Sequence, residues 1–287
     1  MQSTKTLVLP VESGTADMER GSIFFIGTAT VLLRYAGFTI LTDPNFLHSG
    51  EQVYIGYGLH STRTTNPAIE IDELPPLDLI VLSHMHEDHF DRVAAHKLKK
   101  SLPIVTTRHA ASVLKEKGFS ATYPLKIWET LTVTKGEVTL RITAMPGKHA
   151  PGPLLPLFPS VMGSMLEFQT ATGKRLLRLY ITGDTLLFDQ LKEIPQRYPE
   201  IDLALLHLGG TTVLGILLTM DDQQGVEALR IIHPQIAIPI HFNDYKVFKS
   251  PLEDFKKAVA AAGLENKVRY LQHGDTYTFA RHPDQRE

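Results

Sequence analysis

Ser83-His84-Met85-His86-Glu87-Asp88-His89 is the stretch whose reading decides the fold. It follows Leu77–Leu82, an apolar run with the pattern of a buried strand. Three histidines and two acids fall between positions 84 and 89. Charged imidazoles packed this densely would repel one another, whereas neutral imidazoles can share a cation. Imidazole and carboxylate donors without a thiolate suit Zn²⁺, Mn²⁺ or Fe²⁺. The alternative reading of the stretch is a solvated polar loop.

Working outward, the 287 residues carry 29 Lys+Arg against 31 Asp+Glu and 43 % hydrophobic residues, so the chain reads as globular and near-neutral. The balance argues against a general nucleic-acid binder with a basic face, though a local basic groove stays open. There are no cysteines, which excludes disulfides, thiolate nucleophiles, iron–sulfur clusters and cysteine-held zinc. A chain of this length buries roughly 75 % of its unfolded surface and needs no metal merely to stay folded. A metal would therefore be there for chemistry. No stretch approaches the ~20 apolar residues of a membrane span. Residues 1–15 lack an apolar run of signal-peptide length, so a cytoplasmic protein is expected.

The first 20 residues read as a loosely ordered lead-in. Short apolar runs at Ile23–Ile26, Val31–Tyr35 and Phe38–Leu41 read as strands, with Ala36-Gly37 as a tight turn. Pro44 to Pro76 reads as one long irregular loop, a functional wall or lid. Strands are expected at Ile104–Thr106, Thr130–Thr134, Val138–Thr143, Val161–Thr170, Arg175–Thr182, Asp202–Leu206, Gln235–Ile240, Val268–Tyr270 and Thr276–Phe279. Helices are expected at Asp91–Lys100, His109–Lys117, Asp222–Ile232 and Pro251–Ala262. This order fits two sheets face to face with helices outside, as one domain over residues 1–287.

His84-x-His86-x-Asp88-His89 after an apolar strand resembles the signature of the metallo-β-lactamase fold superfamily. Thr42-Asp43-Pro44, His149 after Pro146-Gly147-Lys148, Gly183-Asp184-Thr185 and Ile240-His241-Phe242 match the rest of that pattern in order. Each stands at the end of a predicted strand. The resemblance implies a four-layer αββα sandwich (α/β, α+β) and a dinuclear centre. One ion would be held by His84, His86 and His149, the other by Asp88, His89 and His241, with Asp184 bridging. Asp43 would orient a ligand histidine, or it is simply a turn residue before Pro44. His86 in place of Glu argues against the redox di-iron branch, and the lack of cysteine against the thiolate-using β-lactamases. The pattern is most similar to the branch with ascorbate-phosphate lactonase and N-acyl-phosphatidylethanolamine phospholipase D.

The resemblance thus implies a metal-dependent hydrolase with two divalent ions, zinc first and manganese or iron as alternatives. A metal-bridging hydroxide would attack an ester or lactone with an apolar part. A phosphodiester is the alternative bond, and a metal-binding sensor without turnover the alternative class. Asp88 and His207 are the candidates for proton relay. Tyr57, His60 and Arg63 in the long loop, with His48 and Tyr54 nearby, are candidate substrate contacts; Arg63 suits a phosphate or carboxylate, or is merely solvated. His96, His109, His233, His273 and His282 read as structural or surface residues, and Asp221-Asp222 as a helix cap. Beyond their leading histidines, neither His149–Leu166 nor His207–Met220 carries an ionisable group. They read as an apolar substrate wall or a homo-oligomer interface.

Overall fold

Leu79-Ile80-Val81-Leu82 shows how the layers arise. Leu79 and Val81 enter one core cluster, Ile80 and Leu82 another. Side chains alternate along a strand, so a wholly apolar run is buried on both faces of its sheet. In this computed structural model, residues 5–11, 16–56 and 58–281 are described. Two seven-stranded sheets carry the fold. The first orders Lys5–Val8, Thr130–Lys135, Val138–Met145, Gly163–Thr170, Arg175–Ile181, Leu203–His207 and Ile236–Ile240. The second orders Thr276–Ala280, Arg20–Gly27, Thr30–Tyr35, Phe38–Thr42, Leu79–Val81, Ile104–Thr106 and Thr122–Pro124.

The largest core cluster joins the facing sheets, with Phe25, Leu33 and Ile40 from one and Leu140, Phe168 and Leu179 from the other. Each fully buried Leu, Ile or Phe contributes roughly 1.5–3 kcal/mol. On the outer face of the second sheet, Ile80 and Ile104 meet Ala94 of helix Arg92–Lys97 and Leu114 of helix Arg108–Glu116. On the outer face of the first, Met165 and Tyr180 meet Ile194 and Ile232 from helices Glu193–Arg197 and Asp222–Ile232. Helices thus cover both outer faces, and the αββα order is complete. Asp221 caps its helix by accepting from the Gln224 amide at 2.9 Å.

The structure departs from expectation in several places. The lead-in contains a strand, Lys5–Val8, paired parallel with Thr130–Lys135. It is an edge strand of four residues whose side chains are alternately half-buried and exposed, so its pattern is too weak to read. The long loop folds back as a hairpin, Gln52–Gly56 with Leu59–Thr62, turned by Gly58 at φ +76°. Val268–Tyr270 forms a single bridge, Val268 to Ala237, and no longer strand.

Candidate metal centre

Strand direction gathers the site. Phe38–Thr42, Leu79–Val81 and Ile104–Thr106 run parallel, as do Arg175–Ile181, Leu203–His207 and Ile236–Ile240. Val138–Met145 shares the second direction, being antiparallel to the strand that separates it from Arg175–Ile181. Asp43, His84, His149, Asp184, His207 and His241 therefore stand at or just past the C-terminal ends of strands from both sheets.

Two groups of side chains converge there. His84 Nε2 lies 3.0 Å from His86 Nδ1, and His149 Nε2 lies 3.3 Å from the same atom. Asp88, His89, Asp184 and His241 form the second group, each offering a ligand atom within 4.8 Å of the others. In it, His89 Nε2 is 3.2 Å from Asp184 Oδ2, and His241 Nε2 is 3.4 Å from Asp88 Oδ2. Six of these seven residues are buried; His86 is half-buried.

The rings are aimed from behind. His149 Nδ1 donates to the Leu218 carbonyl and His241 Nδ1 to the Leu208 carbonyl, each at 3.1 Å. A carbonyl only accepts, so in the neutral ring each Nε2 turns a lone pair inward. The Ser83 amide and hydroxyl donate to Asp43 Oδ1 at 2.7 and 2.9 Å. The Ser83 oxygen is 3.0 Å from His84 Nδ1 and 3.3 Å from His89 Nδ1. Asp43 itself sits at φ +34° and His241 at φ +61°, conformations that side chains other than glycine rarely adopt. The His241 amide is held by the Thr28 carbonyl at 2.6 Å, and the Thr28 amide by Asp244 Oδ2 at 2.7 Å.

The electrostatics are those of a cation site. Burial pushes the imidazoles of His84, His86 and His149 below their usual range, His86 to about 3, so all three are neutral at pH 7. Burial raises the carboxyls of Asp88 and Asp184, but their histidine neighbours outweigh it. Asp88 is held at about 2, chiefly by His89, and Asp184 well below the carboxylate range by His241 and His89. Burial lowers His89 and His241 too, yet the facing carboxylates raise both above the usual histidine value. Nε2 of His89 and His241 and Oδ1 of Asp184 are buried without a hydrogen-bond partner. A buried polar atom left unpaired costs about 1–3 kcal/mol. Several such atoms pointing at one another make sense as a ligand set.

The remaining candidates separate. His207 is wholly buried, its Nε2 3.5 Å from Asp43 Oδ2 and its Nδ1 3.3 Å from the Thr182 hydroxyl. Arg63 is also buried, donating to the carbonyl and the side chain of Asn45, and is not brought to the ligand groups. His60 is exposed beside Tyr54, and His48 pairs with Glu70 at 2.8 Å. Tyr57 and His282 lie outside the described residues. A cavity of about 720 Å³ opens beside the centre, lined by His86 and by Met85, Phe90, Val113, Leu157 and Phe158 among others. The first apolar stretch thus supplies part of its wall. The second contributes instead the Leu218 carbonyl and a hairpin, Thr212–Val213 with Ile216–Leu217, whose tip Leu214 is 85 % exposed. The aiming role of two backbone carbonyls leaves no trace in side-chain identity, whereas Ser83 adjoined the histidine cluster and was open to a closer reading.

Residues 39–242 match the Beta-lactamase superfamily domain, which is well over half of the chain. The chain belongs to the beta-lactamase superfamily. Within the curated proteins it is similar to a UPF0173 metal-dependent hydrolase of Thermodesulfovibrio yellowstonii, 27 % identical over 86 % of this chain and 95 % of the relative. Among solved structures, a possible metal-dependent hydrolase of Veillonella parvula superposes with a TM-score of 0.76 at 22 % identity, covering 90 % of this chain and 99 % of that one. An isothiocyanate hydrolase from Delia radicum gut bacteria gives 0.74 at 20 % identity, with the same coverage. Both likenesses bear out the superfamily's αββα fold. No helix among the described residues is long and apolar enough to cross a membrane.

Proposed function

We propose that this superfamily member is a metal-dependent hydrolase acting on an ester or lactone with an apolar part. The observation that carries the reading is the convergence of His84, His86 and His149 beside Asp88, His89, Asp184 and His241, where His89 Nε2, His241 Nε2 and Asp184 Oδ1 are buried without a hydrogen-bond partner. The first three would hold one divalent ion, Asp88, His89 and His241 a second, and Asp184 both; zinc suits the donors, and manganese or iron are compatible. When bound, such ions supply Lewis acidity and a water acidic enough to react near neutral pH. The metal-dependent hydrolase name of the T. yellowstonii relative supports the class.

The chain's own side chains take the remaining tasks. Ser83 and the carbonyls of Leu208 and Leu218 orient the ligand rings. Asp88, ionised at neutral pH, would serve as a proton acceptor beside the ions. His207 Nε2, 3.5 Å from Asp43 Oδ2, helps to hold the carboxylate that orients the ligand rings. The apolar cavity wall favours an ester or lactone over a phosphodiester.

The test is metal content per chain in protein purified without chelator, beside Asp184→Ala. About two ions falling toward one or none in the variant supports the centre, and turnover in a panel of lactones, esters and phosphodiesters then fixes the bond. Absence of tightly bound metal after zinc is added back would refute the reading.

A further inference from the structure

The cavity beside the centre has a direction. Strands Leu79–Val81 and Ile104–Thr106 are parallel, so the segments that follow them start from one edge of the sheet, the edge that carries Ser83–His89. Helix Arg108–Glu116 leaves that edge and returns the chain to Thr122–Pro124, which is parallel again. His109, Val113 and Lys117, spaced i, i+4 and i+8, line the cavity from one face of this helix. At 1.5 Å per residue, Lys117 stands about 12 Å farther from the metal edge than His109. Phe158, on the same cavity, packs 5.8 Å from the ring of His149. The groove therefore leads from candidate ligands, past Val113, Leu157 and Phe158, to an ammonium group.

Most charges along it are already engaged. Glu87 accepts from the Tyr54 amide at 2.6 Å, Arg92 pairs with Glu51 at 2.6 Å, and Asp91 accepts from the amides of Leu47 and Ala94. The Lys117 ammonium has no hydrogen bond or ion pair among the described residues. A bare cation at the end of an apolar groove complements an anion at the end of an apolar body.

We infer that the substrate is an amphiphile: an apolar acyl body that lies along this groove with its reactive carbonyl at the His86 end, and an anionic group, carboxylate or phosphate, read by Lys117 at the other. The position of the carbonyl rests on the hydrolase reading; the preference for an anionic terminus does not. Because Lys117 is exposed, the pairing is worth no more than a surface ion pair, about 5-fold in affinity, and weakens with salt.

The test pairs binding with turnover on the intact chain. Octanamide and its counterpart with a terminal carboxylate are titrated calorimetrically into the unmutated protein, Lys117→Ala and Lys117→Glu, with circular dichroism confirming the fold of each. The same proteins are assayed on the methyl ester of octanoate, its terminal-carboxylate counterpart and its terminal-phosphate counterpart. The unmutated protein is expected to bind the carboxylate amide about 5-fold more tightly than the neutral one, the ratio approaching one in Lys117→Ala and inverting in Lys117→Glu. Equal binding of the two amides, or a preference that survives Lys117→Glu, overturns the inference. A preference that follows Lys117 while none of the esters is turned over supports the groove assignment and overturns the ester-hydrolase reading. The faster of the two anionic esters identifies the terminal group.

Discussion

Replacing Gly183 by alanine tests whether backbone crowding sets the position of Asp184. Gly183 lies at φ +63°, and a Cβ added there would stand 2.6 Å from the Met162 carbonyl oxygen and 3.2 Å from the Ser83 Cβ. Neither neighbour is free to retreat, because the Met162 amide donates to the Ser83 carbonyl at 3.1 Å and both residues are buried. The left-handed conformation costs an alanine about 1–2 kcal/mol. Forcing a methyl into a filled space adds about 1–3 kcal/mol. The sum, about 2–5 kcal/mol, lowers Tm by roughly 4–10 °C for a chain of this size. Gly173→Ala is the control: Gly173 has φ +84° but nothing within 4 Å of a new Cβ, so it suffers the conformational cost alone. The assay is thermal unfolding of the three proteins after exhaustive chelation, followed by zinc titration of each. Gly183→Ala is expected to melt below Gly173→Ala and to hold less zinc, since Asp184 is the next residue. Equal melting of the two variants would refute the crowding argument and show that the Thr182–Asp184 turn yields at little cost.

Two further outcomes follow from the supporting network. Asp43→Asn keeps a side chain that tolerates positive φ but removes the charge facing His89 and His207; metal affinity should fall about 10–100-fold with little loss of fold, measured by competition with a chromophoric chelator. Asp244 gives the pH dependence: burial raises its carboxyl, but His273, 3.1 Å away, and the Thr65 hydroxyl outweigh this and hold it below its usual value. Its contribution to stability is then complete above the unfolded value of about 3.9 and fades as pH falls through the depressed folded value. The Tm gap between the unmutated protein and Asp244→Asn should be widest near neutrality and shrink below about pH 4; parallel Tm curves would refute it.

The parts of this molecule legible in the sequence are those where one signal is both strong and local. Leu77–Leu82 could only be a buried strand, and the dense cluster after it reads as donors to a cation. Helix Asp222–Ile232 is met at both ends because Asp221 caps it and apolar residues recur at helical spacing. Lys5–Val8 escapes notice because half its pattern faces solvent, and Thr122–Pro124 because it is three residues long and ends in proline. The hairpin within residues 52–62 depends on Gly56 and Gly58 at positive φ, which from sequence are indistinguishable from loop glycines. In the apolar stretch 207–220, read as a substrate wall or a subunit interface, the contribution visible at the centre is made by the main-chain oxygens of Leu208 and Leu218. Arg63 shows the same limit, since nothing in its neighbours tells that it is drawn into the interior by Asn45 and covered by Tyr245.

The carbonyls of Leu208 and Leu218 have a consequence for how this protein can change. Every residue type presents a carbonyl, so the aim of His149 and His241 does not depend on which side chains occupy positions 208 and 218, provided the main chain keeps its course. Side chains of the Thr212–Leu217 hairpin and of residues 155–160 can therefore drift or be redesigned while the histidines keep their bearing. The bearing of these two rings and the character of the cavity wall are stored in different alphabets here, one in peptide groups common to all sequences and one in the residues that mutation exchanges. New substrates can be explored by altering the second while the first stays in place.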